Sequence, residues 1–160
     1  MKLLVPVDGS AASHRAVDHA LWLAQGRAEA SLTLLNVQSR ETLDISDIDV
    51  EAAPVDVIAA RESAKVLQPA IKACEAAGVR FETRAEFGPI CDTILRVAHD
   101  THADQIVMGS RGLGRLGSAL LGSVVTEVIH AATVPVTVVK ETTRVPAPAP
   151  AAEATTAKTR

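Results

Sequence analysis

Gln105-Ile-Val-Met-Gly109-Ser-Arg-Gly112-Leu-Gly114-Arg-Leu-Gly117-Ser-Ala-Leu-Leu-Gly122-Ser123 is the stretch on which the reading of this chain turns. Gln105 to Met108 reads as a brief buried strand, the five glycines between 109 and 122 as a loop, and the residues from about Ser118 to Ala132 as a helix. A strand that passes through glycines into a helix is where an open parallel sheet holds ligands, beyond the C-terminal ends of its strands. Glycine lets backbone N–H groups approach an anion with no Cβ in the way, and Gly122-Ser123, in or near the first turns of the helix, adds the positive end of its dipole. One segment thus points both to an α/β fold and to an anion site.

Working outward, the same alternation repeats. Lys2 to Val7 is an apolar run closed by Asp8-Gly9-Ser10, a strand ending in a turn. Ser10 then caps a helix to Gly26 with Ala16, Val17, Ala20, Leu21 and Ala24 at helical spacing. Residues 32–38 read as a second strand, and the acidic stretch from Glu41 to Glu51 as a solvated loop whose spacing fits no calcium loop. Val57, Ala60, Ala64, Leu67, Ile71 and Cys74 predict a long helix from Val55 to Ala77, kinked or split at Pro69. Val79 to Phe87 follows as a strand, and Gly88-Pro89 opens a helix with Ile90, Ile94, Val97 and Ala98 on one side. The last strand is Val134 to Lys140.

Parallel neighbours need a long crossover, which a helix supplies, so strands alternating with helices predict a doubly wound parallel sheet. Five strands and four helices make the flavodoxin-like count. The domain is expected to span residues 1–141. From 142 to 160 alanine and proline lose all apolar periodicity, which predicts a disordered tail.

Composition narrows the function classes. A formal charge of −3 gives no sequence-wide positive field to hold a phosphate backbone or an anionic membrane, so neither nucleic acid nor membrane is expected as partner. The residues before Asp8 are too few for a signal segment or a span, which predicts a cytoplasmic protein. Cys74 and Cys91 lie seventeen positions apart with no metal-ligand spacing and read as reduced thiols.

Three phosphate-binding patterns compete for the glycine stretch. A Walker A loop needs lysine before its Ser/Thr, and Gly112 to Gly117 runs straight into Ser118. Gly112-Leu-Gly114-Arg-Leu-Gly117 satisfies the dinucleotide fingerprint, but that fingerprint opens a longer domain and only one strand remains here. The third, Gly109-x2-Gly112-x9-Gly122-Ser123, resembles the ATP-binding signature of universal stress proteins. Val5-Pro-Val-Asp8-Gly-Ser10 resembles that family's opening turn, and Ile106 to Gly112, Gly122-Ser-Val and Val134-Pro-Val-Thr-Val-Val139 its closing half.

The resemblance implies an adenine nucleotide α hydrolase-like fold with strand order 3-2-1-4-5. It implies that Asp8 contacts the ribose or, through the nucleotide, a bound Mg. The backbone of Val37 is expected at the adenine edge, and Gly109, Gly112, Gly122 and Ser123 at the phosphates. Pro6, Val7, Met108, Arg111 and Val124 complete the expected lining. The ligand is then ATP, or AMP or ADP. The resemblance and the charge-free run from Val136 to Val139 together imply a homodimer paired through the final strand. No positioned base for hydrolysis is evident, so a nucleotide-dependent regulatory module in stress response, with a protein partner, is favoured. A slow ATPase or phosphotransferase using the same site, a dinucleotide binder, and a nucleotide-free interaction protein are the alternatives.

The remaining candidates carry less. His99 and His102 sit near a helix C-terminus, where the dipole favours histidine without any metal. His14 and His19 do not share a helix face. Trp22 is expected in or beside the core.

Overall fold

The computed structural model describes residues 1–39, 55–112, 121–144 and 146. The acidic stretch 41–51, the glycines 114 and 117, and the residues after 146 lie outside them. The elements are β1 (Lys2–Pro6), α1 (Ala11–Ala24), β2 (Ser31–Gln38), α2 (Val55–Ala77), β3 (Arg80–Phe87), α3 (Ile90–Asp100), β4 (Gln105–Gly109), α4 (Ser123–Ala131) and β5 (Val136–Val139). All pairings are parallel and the order is β3-β2-β1-β4-β5, as the resemblance implies.

Burial follows from position in the sheet. Central β1 buries Leu3, Leu4 and Val5 in succession because helices cover both its faces. One core joins Val5, Val7 and Leu34 to Ala16, Val17 and Leu21 of α1 and Leu67, Ala70 and Cys74 of α2. The other joins Leu4, Leu35 and Met108 to Ile94 and Val97 of α3 and Val125 and Val128 of α4. Edge strand β3 has no fully buried residue and carries Arg80, Glu82, Arg84 and Glu86.

Four expectations need correction. Pro69 does not split its helix, which runs unbroken from Val55 to Ala77. Pro69 and Lys65 are both exposed, so the carbonyl that loses its helical partner faces water. The inward stripe of α2 is Ala59, Ser63, Leu67, Ala70 and Cys74, whereas Val57 and Ala64 are exposed. The last helix begins at Ser123 rather than near 118, because Gly122 has extended backbone angles and caps it. Trp22 stays 41% exposed, its ring stacked on His19 at 5.5 Å.

Candidate functional site

β1 and β4 are neighbours in the sheet but far apart in sequence, and their C-terminal ends form the switch point of the winding. The turn after β1 is built by Asp8, whose Oδ1 accepts from Ser10 N at 3.0 Å, while Ser10 Oγ accepts from Ser13 N and caps α1. The same Ser10 hydroxyl donates to Arg111 O at 3.3 Å, tying this turn to the one after β4. Ser110 then ties the end of β4 to β5 and to the start of α4. Its N–H donates to Val139 O at 2.8 Å, and its carbonyl accepts from Gly122 N at 2.9 Å.

The three signature glycines serve this geometry in different ways. A Cβ on Gly109 would lie 2.6 Å from the Ala12 carbonyl carbon and 2.8 Å from Ser13 N, so glycine lets the start of α1 rest on β4. A Cβ on Gly112 would lie 2.5 Å from Asp8 Oδ2, which places the carboxylate directly against that backbone. A Cβ on Gly122 would meet nothing closer than Arg111 Cα at 3.7 Å, and the backbone there, at φ −73°, suits any residue. No contact within the described residues therefore asks for glycine at 122.

Gly122 caps α4 with no side-chain hydrogen bond, and the first intrahelical donor of the new helix is Thr126 N, to Gly122 O. The N–H groups of Ser123, Val124 and Val125 precede the helical ladder and face the end of the helix with its positive dipole. That end, the Gly112 backbone and the Asp8 carboxylate border one another. The arrangement offers donors to an anion beside a carboxylate that can accept from hydroxyls or meet a cation.

The other predicted residues divide by atom. Val7 and Met108 send their side chains into the two cores, leaving only backbone at the site. Val124 packs half-buried on the second core, Pro6 is half-buried, and Arg111 and Ser123 are exposed. Val37 lies at the end of β2 next to β1, half-buried, with its side chain toward the second core. His99 and His102 are exposed, 6.4 Å apart between ring centres, and no cluster of three metal-binding side chains exists among the described residues. No helix among them is long and apolar enough to cross a membrane.

Sequence reasoning missed Ser10 and Ser110 as ties between the strand ends, and a buried polar group at the end of β2. Asn36, Gln38 and Ser63 are 3%, 7% and 1% exposed and hydrogen-bonded to one another. The available signal was polar residues standing at core positions: Asn36 among Leu34, Leu35 and Val37, and Ser63 within the inward stripe of α2.

The universal stress protein family model matches residues 1–140. Universal stress protein YxiE of Bacillus subtilis is 33% identical over 146 residues, covering 87% of this chain and 98% of that one. The solved structure of hypothetical protein MJ0577 superposes with a TM-score of 0.77 at 27% identity, over 89% of this chain and 97% of that one. A universal stress protein solved in complex with cAMP superposes at 0.62 with 27% identity, over 88% and 97%. The sheet order and a match running through both halves of the fold agree, and the chain belongs to the universal stress protein family.

Proposed function

We propose that this protein binds ATP, or AMP or ADP, at the ends of β1, β2 and β4 and acts as a nucleotide-dependent regulatory module in stress response. The observation that carries the reading is Gly122. It is a glycine that no atom among the described residues and no backbone angle requires, at a helix start beside the Gly112 backbone. Space kept clear beside unpaired helix N–H groups suits phosphate oxygens. The cAMP complex of a family member supports an adenine nucleotide as the ligand class. In this reading Asp8 takes the ribose hydroxyls and any Mg held by the phosphates, and the Val37 backbone takes the adenine edge. Pro6, Val7, Met108, Gly109, Arg111, Ser123 and Val124 line the rest. No side chain is assigned as a base, so any ATP hydrolysis is slow. The test is to identify the nucleotide released by heating the purified protein and to titrate the emptied protein with ATP, AMP and cAMP. Absence of both release and binding removes the reading.

The homodimer belongs to the same proposal, and the two sheet edges support it by contrast. β3 is studded with charge, whereas Val136 to Val139 has none and no neighbouring strand beyond it among the described residues. Ile106 N donates to Pro135 O and Ser110 N to Val139 O, so the odd-numbered residues of β5 point their polar backbone atoms at β4. Val136 and Val138 point theirs outward. Val138→Pro should therefore give a folded monomer by light scattering, while Thr137→Pro should lose stability; a Val138→Pro dimer removes this strand as the interface.

A further inference from the structure

A parallel ladder has a fixed rhythm, and at the end of β1 it is broken by a side chain. The β1–β2 register runs to Pro6 and Leu35, and one further bond follows, from Val7 N to Leu35 O at 2.7 Å. The next bond in sequence would run from Val37 N to the Val7 carbonyl. Asn36 Nδ2 donates to that carbonyl at 2.7 Å, and the register ends. Alternation still leaves the N–H and C=O of Val37 on the β1 side, because Gln38 O faces β3 and accepts from Gly88 N.

The amide that stops the ladder is held on three sides. Asn36 Oδ1 accepts from Gln38 Nε2 at 2.8 Å and from Ser63 Oγ at 2.8 Å, while Nδ2 faces a carbonyl that can only accept. Its orientation is therefore fixed by chemistry. Ser63 belongs to α2, so the network joins the ends of two strands to a helix on one face of the sheet. Burying three polar side chains in an otherwise apolar layer is costly unless each is bonded, and here each is.

We infer that Asn36 is a positioning residue for base recognition. By taking the Val7 carbonyl it ends the β1–β2 ladder at Leu35 and keeps the Val37 N–H and C=O available as a donor–acceptor pair for the edge of adenine. This rests on the nucleotide reading above. Adenine presents an amino donor beside a ring-nitrogen acceptor, which matches one backbone C=O and one N–H. Hypoxanthine reverses both, with a carbonyl oxygen beside a ring N–H, and mismatches the same pair.

The test compares ATP with ITP, which share ribose and phosphates and differ only at that edge. Calorimetry on the full chain should show wild type preferring ATP by on the order of tenfold or more, because a mismatched pair leaves buried polar groups unbonded. Asn36→Asp sets a carboxylate oxygen against the Val7 carbonyl. ATP affinity should then fall about tenfold while ITP affinity changes little, so the preference collapses. Ser63→Ala loosens the amide without touching Val7 and should shift the ratio the same way by a smaller factor. It carries the test if Asn36→Asp does not fold. Equal losses for ATP and ITP, or an unchanged ratio in both variants, would overturn the positioning role and leave nucleotide binding intact. A wild type that binds neither would overturn the nucleotide reading and this inference with it.

Discussion

Gly109 and Gly122 share one glycine-rich stretch of sequence, yet the fold uses them in opposite ways. Gly109 is buried, and its missing Cβ is space already filled by the backbone of Ala12 and Ser13. Gly122 is half-buried, and its missing Cβ is space that the described residues leave open. The first is a packing residue of α1 against β4; the second keeps clearance at the start of α4. A spacing pattern records both as glycine and cannot separate them, since absence of a side chain serves close packing and ligand approach equally well.

Substitution separates them, and the largest effect is expected at 109. Gly109→Ala forces a methyl into backbone atoms that cannot rotate away, and overpacking of this kind costs about 1–3 kcal/mol. For a chain of this size the melting temperature should fall by roughly 5–10 °C, read by circular dichroism. A fall under about 2 °C would break the distinction. Gly122→Val should do the reverse: melting within about 3 °C of wild type, and no ATP binding detectable by calorimetry. Wild-type affinity in that variant would show that the clearance has no ligand to serve.

Gly112→Ala tests the middle of the signature and should fall between the two. Among the described residues the new methyl meets only the Asp8 carboxylate, the far end of a side chain, so the carboxylate swings aside at little cost to the fold. Nucleotide affinity should drop several-fold, about 1 kcal/mol, for the contacts that Asp8 makes. Asp8→Ala measured alongside should show the same loss, and the double variant no further loss.

The smallest effect uses Cys74 as a reporter of how well α1 and α2 stay seated. Burial, aided by neighbouring Glu75, pushes its thiol up to about 12, so at pH 8 the folded protein holds almost no reactive thiolate there. The sign follows from the raised value. The stability tied to this thiol is intact below the ordinary cysteine range and is lost as pH rises from there toward 12. Alkylation at pH 8 should be modestly faster in Gly109→Ala, where the helix layer opens more often, and unchanged in Gly122→Val. Equal rates in the two variants would blur the contrast.

Much of this was legible in the residues. Periods of about 3.6 and 2, caps such as Ser10 and breaks such as Gly88-Pro89 follow from local backbone geometry, so the nine elements and the α/β class could be read along the chain. A split at Pro69 was expected from its lost backbone bond, and Trp22 was placed by its large aromatic ring, whereas exposure is assigned only by the third dimension. A helix proline is tolerated where its orphaned carbonyl meets water, and tryptophan tolerates exposure where it can stack on His19. The start of α4 was misplaced because apolar spacing continues through 118–121 while the backbone of Gly122 is extended.

By itself the sequence determined the order of elements, the glycine spacing and the family resemblance, because each is a property of residues near one another in the chain. Tertiary structure alone decided which glycine packs and which keeps clearance, which β5 residues face outward, and that Ser10, Ser110 and Asn36 hold the ends of four strands together. Those are contacts between segments as many as a hundred positions apart, as with Ser10 and Arg111, and hydrogen bonds of that reach depend on where the sheet brings their ends.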